Sequence, residues 1–221
     1  MAQLWELLGI GKGLTAVMGS GGKTSLLYEL AEELRPYGTV LLTTTTHILK
    51  PPQYPFAATA SALTAALAAH GAACAGSFTA EGKLTAPDFP GWETAADFVL
   101  VEADGSKRLP AKAHETWEPV LPPQRKRTVC VLGASAFGQT IRQAAHRPAL
   151  YAALAGVTKD AVITPQLAAR VLMAEGGFDE IYVNQIDDPD FSPALTEPFV
   201  RTVNCPVVVG SLRYRRWKPL P

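Results

Sequence analysis

From Leu14 to Leu27 the chain reads L-T-A-V-M-G-S-G-G-K-T-S-L-L, a run that few folds accommodate. A strand-like segment, Leu14 to Met18, breaks into Gly19-Ser20-Gly21-Gly22. Lys23-Thr24 follows at once, and the pattern turns helical from Ser25 to Leu34. Strand, glycine turn, Lys-Thr and helix is the order of a phosphate-binding loop. Glycines lack Cβ, so successive N–H groups can turn inward toward phosphate oxygens. The helix start adds unpaired amides and the positive end of its dipole. Gly19, Ser20, Gly21, Gly22, Lys23, Thr24 and Ser25 are therefore expected to hold the phosphates of a nucleotide. Lys23 would sit on the β- and γ-phosphates as a catalytic cation, and the Thr24 hydroxyl on Mg²⁺. The full pattern, G-x-x-x-x-G-K-[ST], asks for glycine where this chain has Val17, so the loop is a short variant. A plain glycine-rich turn carrying an exposed lysine is the alternative reading.

The rest of the chain alternates strand and helix patterns. A short amphipathic helix is expected over Gln3 to Leu8. After the loop, Leu26, Leu27, Leu30 and Leu34 mark the buried face of a helix, with Glu29, Glu32, Glu33 and Arg35 on its other faces. Thr39 to Thr46 reads as a second strand, and Pro51-Pro52 and Pro55 break the chain before a small helix, Ser61 to His70. Ala72 to Pro87 reads as a hairpin. Strands are expected at Phe98 to Glu102, Thr128 to Leu132, Glu180 to Asn184 and Pro206 to Val209. Helices are expected at Ala149 to Leu154 and at Pro165 to Glu175, the second opened by proline and closed by Gly176-Gly177. The fold class is α/β, with a mostly parallel sheet and helices on both faces. One domain over residues 1–221 is expected, with a small helix and hairpin inserted around 51–97 and a long loop over 105–127.

In such sheets ligands bind at the carboxyl ends of strands, so what each strand ends in is informative. The second strand ends in Thr43-Thr44-Thr45-Thr46-His47, hydroxyls suited to phosphate oxygens or metal-bound water, although threonine also simply favours strands. The strand at Phe98 ends in Glu102-Ala103-Asp104-Gly105. Carboxylates two apart on an extended chain share a side, so Glu102 and Asp104 are candidate Mg²⁺ ligands and catalytic groups. Gly105 matches the glycine whose N–H senses the γ-phosphate in a D-x-x-G switch. Asn184-Gln185-Ile186-Asp187 is close to the guanine-reading N-K-x-D, in which aspartate accepts from N1–H and the exocyclic amine. Asn and Asp also favour turns after strands. Gly210-Ser211-Leu212 ends the last strand, where a backbone loop meets the base, so Ser211 joins the nucleotide-binding set. Lys107 and Arg108 could neutralise phosphate charge, and the tail Arg213 to Lys218 reads as packed or solvated.

Composition narrows the classes. Apolar residues make up 48%, which excludes a disordered chain. Twenty basic and twenty acidic side chains cancel, arguing against nucleic-acid or anionic-membrane binding by bulk charge. No signal peptide is evident and no apolar run reaches membrane-spanning length. Three scattered cysteines, Cys74, Cys130 and Cys205, fit reduced thiols in the cytoplasm rather than a disulfide frame or a zinc site.

The string E-A-D-G-S-K-R-L-P-A-K-A-H-E-T-W-E-P-V-L-P (Glu102 to Pro122), with V-M-G-S-G-G-K-T, T-T-T-T-H and N-Q-I-D, resembles the YqeC family along essentially the whole chain. These are accessory proteins of selenium-dependent molybdenum hydroxylases. The resemblance implies a P-loop NTPase-like three-layer sandwich and a role in making or inserting a labile selenium centre. It makes Lys107 to Glu118 a functional loop facing a partner or substrate, and it places no particular chemistry on His114 or Glu118. The expected function is Mg²⁺-dependent binding and slow hydrolysis of GTP or ATP, with a molybdenum hydroxylase or a selenium-donating protein as partner. A small-molecule kinase or other phosphotransferase and a non-catalytic nucleotide-binding scaffold are the alternatives.

Overall fold

Buried aliphatic and β-branched runs form the long strands, and leucine- and alanine-rich segments between them form the helices. The computed structural model describes residues 2–188 and 193–220. The amino-terminal part holds α1 (Leu4–Leu7), β1 (Gly13–Gly19), α2 (Lys23–Leu34), β2 (Val40–Thr44), β3 (Phe56–Ala57) and α3 (Ala60–His70). Next come β4 (Ala72–Ala75), β5 (Ser77–Phe78), β6 (Leu84–Thr85), β7 (Phe98–Glu102), β8 (Ala111–Lys112) and β9 (Arg127–Gly133). The remainder is α4 (Ile141–Ala144), β10 (Ala145–His146), α5 (Pro148–Ala155), α6 (Pro165–Glu175), β11 (Glu180–Asn184), α7 (Pro193–Val200), β12 (Val207–Ser211) and β13 (Arg216–Leu220). The fold is α/β with mostly parallel strands, consistent with a P-loop NTPase-like sandwich. Among the described residues no helix is long and apolar enough to cross a membrane.

The chain falls into two compact units. The first comprises Met1–Met18, Thr24–Gly105 and Pro119–Thr128. Its strands follow the order β1-β7-β2-β4-β3, all parallel. Parallel strands covered on both faces read as continuous apolar runs, and every residue of β2 and β7 is buried. Leu14, Leu41, Leu63, Leu67, Val99 and Val101 centre the core. Each buried leucine contributes roughly 1.5–3 kcal/mol. Thr59 caps α3 by accepting from the Ala62 N–H, and Gly71 ends it with a left-handed φ.

Two expectations change in this unit. Ala72–Ala75 is not an arm of a hairpin: it pairs in parallel with β2, and the hairpin is confined to β5 and β6. Four small residues buried together suit an inner strand, not a solvated turn. Glu33 does not face solvent either. It is 8% exposed, and its carboxylate accepts from the Leu4 and Trp5 amides at 3.0 and 2.9 Å, the free N–H groups at the start of α1.

The second unit comprises Gly19–Lys23, Ser106–Glu118 and Val129–Pro221. Here β9, β11 and β12 are parallel neighbours, and β13 closes the edge antiparallel to β12. α6 spans the expected residues, with Thr164 accepting from the Leu167 N–H and Pro165 in the first turn. The tail is not loose: Arg216–Leu220 is a full strand, Ser211 lying opposite Arg216. Two-residue strands β8 and β10 pair in parallel, Lys112 opposite His146. Apart from β8, residues 105–126 are turns and irregular chain.

Candidate functional site

In the second unit the glycine loop is held from three sides. Gly21 and Gly22 have φ of +90° and +124°, a region side chains avoid. A Cβ on Gly21 would run into the Gly133 backbone, and one on Gly22 into the Asn184 amide. These glycines permit both the curl and the close approach. The Ser20 N–H donates to the Val131 carbonyl at 2.8 Å, and its hydroxyl donates to the Leu109 carbonyl. Lys23 opens α2 and is 3% exposed. Its ammonium donates to the Gly19 carbonyl at 2.7 Å and to Ser106 Oγ at 3.3 Å, so the stem folds back over the loop. The exposed lysine of the plain-turn reading is not what the chain builds.

Asn184 locks this arrangement. It is 5% exposed, and its Nδ2 donates to the Gly21 carbonyl at 2.8 Å while Oδ1 accepts from the Leu212 N–H at 3.1 Å. Both ends of the amide are therefore engaged with backbone, and the residue braces the loop. Asp187 lies nearer solvent. Its Oδ1 accepts from Ser211 Oγ at 2.6 Å, and Arg213 stands 3.8 Å from Oδ2. Gln185, where N-K-x-D has lysine, adopts φ +67° and accepts from Ser135 Oγ at 2.5 Å. Asn184, Asp187 and Ser211 thus do converge, with Leu212 as a fourth member through its N–H.

In the first unit the acidic strand end meets the Thr24 hydroxyl. Thr24 Oγ1 donates to Glu102 Oε2 at 2.9 Å; Glu102 is 6% exposed and Asp104 is fully buried. Hydroxyl and carboxylate are hard oxygen donors of the kind Mg²⁺ takes, and Mg²⁺ keeps water and phosphate in its remaining positions. The residues present fit that ion. Among the described residues there is no group of three His, Cys, Asp or Glu that could hold a metal ion. Thr43 and Thr44 of β2, and Thr45 just beyond it, serve the backbone. Thr43 donates to the Ala75 carbonyl, Thr44 to that of Glu102 and Thr45 to that of Val120. His47 is exposed, and so is Ser25. At Gly105 an added Cβ would meet open space, so packing does not demand the glycine.

Ser106 to Leu109 forms a tight turn, the Leu109 N–H donating to the Ser106 carbonyl at 3.0 Å. Its central residues, Lys107 and Arg108, have φ of +50° and +61°, a conformation glycine and asparagine normally supply. Ser106, Leu109 and Gly133 were not legible as partners of the loop, because each contributes backbone or a lone hydroxyl that no motif marks.

The family model described as YqeC protein matches residues 15–149. That stretch carries the glycine loop, the acidic strand end and the 106–118 segment, and it stops short of Asn184. The Escherichia coli (strain K12) protein bearing the name "Uncharacterized protein YqeC" is 34% identical over 183 residues, covering 75% of this chain and 70% of that protein.

Proposed function

The chain belongs to the YqeC family, and we propose that it binds a nucleoside triphosphate with Mg²⁺ and hydrolyses it slowly. The observation that carries the reading is the glycine loop itself, curled by Gly21 and Gly22, braced by Asn184 and overlaid by the buried Lys23. Bound phosphates would take the loop amides of Gly21 and Gly22 and the Lys23 ammonium, which loses its Gly19 and Ser106 contacts in exchange. Thr24 and Glu102, with Asp104 beside them, would hold Mg²⁺, whose contribution is to neutralise the charge that develops on the transferring phosphoryl group. In this reading the Gly105 N–H would serve the γ-phosphate. Asp187 is the proposed base reader, exchanging Ser211 for guanine N–H groups, which sets GTP slightly ahead of ATP.

The biological role we propose is supported by the resemblance carried by residues 102–122. In this reading turnover accompanies maturation of a selenium-dependent molybdenum hydroxylase, with that enzyme or a selenium-donating protein as partner, in the cytoplasm. A second reading, phosphoryl transfer to a small acceptor, is favoured by the strained Lys107-Arg108 turn directly after Ser106.

Titration calorimetry with non-hydrolysable GTP and ATP analogues, with and without Mg²⁺, tests the assignment. Wild type binds in the presence of Mg²⁺ and prefers the GTP analogue. A hydrogen bond to a charged group is worth about 1.5–3 kcal/mol, so Lys23→Ala weakens binding by roughly 10- to 100-fold. Tight binding by that variant overturns the reading. Binding without turnover, even with a hydroxylase present, selects the scaffold.

A further inference from the structure

The second unit holds an ionic cluster for which the glycine loop has no use. Lys112, its side chain entirely shielded from solvent, lies 2.8 Å from Glu118 Oε2. Arg147 grips the same oxygen, donates to the Ala113 carbonyl at 3.3 Å and stands 3.8 Å from Glu115. Two cations thus share one carboxylate oxygen, and Lys107 adds a third positive charge that acts on the same histidine, His146. Among the five non-glycine residues with left-handed φ in the described chain, Lys107 and Arg147 belong here, and Arg108 follows Lys107 in sequence. Strain of this sort persists where the surroundings impose it, often at ligand sites. His146 sits within the cluster, paired through its strand with Lys112. Its Nδ1 is closed off from solvent and has no hydrogen-bond partner among the described residues. Buried nitrogens without partners are rare in native proteins, and this one calls for a partner, which water or a bound ligand can supply.

We propose that this cluster is a second anion site, which binds a small acid through Lys107 and Arg147 while a hydroxyl of the same molecule donates to His146 Nδ1. The ligand class is a hydroxyl-bearing oxyanion or carboxylate. Burial, and then the Arg147, Lys112 and Lys107 charges, hold the His146 pKa below its ordinary value against the opposing Glu118, so the ring is neutral and able to accept. The site lies one residue beyond Ser106, whose hydroxyl contacts the Lys23 ammonium. As the acceptor site of a phosphoryl transfer it rests on the nucleotide reading above; as an anion site it does not.

Hydrogenphosphate has both required groups and serves as the probe. The full chain is labelled at its four histidines, saturated with Mg²⁺ and the GTP analogue, and titrated with phosphate while the imidazole NMR signals are followed. The signal missing from His146→Phe identifies the residue. The expected result is a saturable shift of that signal as the anion arrives. Lys107→Gln, a substitution at an exposed turn, weakens the response at least fivefold. Lys23→Ala without nucleotide retains it, so failure of nucleotide binding and failure of this site are told apart. A His146 signal that ignores phosphate, or one that responds equally in Lys107→Gln (an adventitious ion only), overturns the proposal.

Discussion

Replacing Asn184 by alanine tests whether the loop is held from β11. The wild-type amide makes two bonds, Nδ2 to the Gly21 carbonyl at 2.8 Å and Oδ1 from the Leu212 N–H at 3.1 Å, in a side chain that is 5% exposed. Truncation strands one buried acceptor and one buried donor. Each stranded group costs about 1–3 kcal/mol, so the loss is about 2–6 kcal/mol if the vacated space stays dry, and nearer the lower figure if water enters. Asn184→Asp separates the two bonds. Its Oδ1 still accepts from Leu212, but a carboxylate oxygen then faces the Gly21 carbonyl, and the destabilisation at neutral pH at least equals that of alanine. Urea unfolding followed by the fluorescence of the four tryptophans measures both, with a midpoint shift on the order of 1 M for slopes usual in domains of this size. A loss below about 0.5 kcal/mol in Asn184→Ala, the range of ordinary surface substitutions, refutes the brace.

Two further outcomes are expected. In wild type Mg²⁺ strengthens nucleotide binding, and Glu102→Gln reduces that enhancement by roughly tenfold or more; calorimetry with added EDTA should reproduce the variant in wild type, and an undiminished enhancement would remove Glu102 from the metal site. The second concerns acid stability. The Lys12 ammonium, at 2.8 Å, followed by the Thr39 N–H and hydroxyl, lowers the Asp97 pKa to about 2. A depressed carboxylate adds stability above its unfolded value of about 3.9 and loses it as pH falls toward the folded value. Asp97→Asn therefore flattens the stability profile between about pH 4 and 2, and an unchanged acid limb in urea titrations would contradict it.

What the residues disclosed in advance follows physical lines. β11 and α6 occupy the expected residues because each is a long run bounded by strong signals, Thr164-Pro165 and Gly176 in the case of α6. The curl of the loop was readable because it needs glycine at particular positions. Two-residue strands such as β8 and β10 have no period to detect. Glu33 looked like one more acid on a solvated face, since the amides it caps lie 28 and 29 residues earlier. The hydroxyls of Thr43, Thr44 and Thr45 could be counted but not aimed, and backbone carbonyls claimed them. Nor did any spacing join Lys112 to His146 and Arg147, which only strand pairing brings together.

The β13 edge bears on how this protein behaves when concentrated. A sheet margin is a template on which a neighbouring molecule can add a strand. β13 presents Arg216, Lys218 and Pro219 there; Lys218 and Pro219 are exposed, and Pro219 has no N–H to offer. In the first unit the edge strand β3 is only two residues long. Charge, proline and brevity are the means by which natural sheets resist edge-to-edge growth. The basic C-terminal strand thus acts as a guard against aggregation, and deleting it would uncover β12, whose Val207, Val208 and Val209 make a far stickier border.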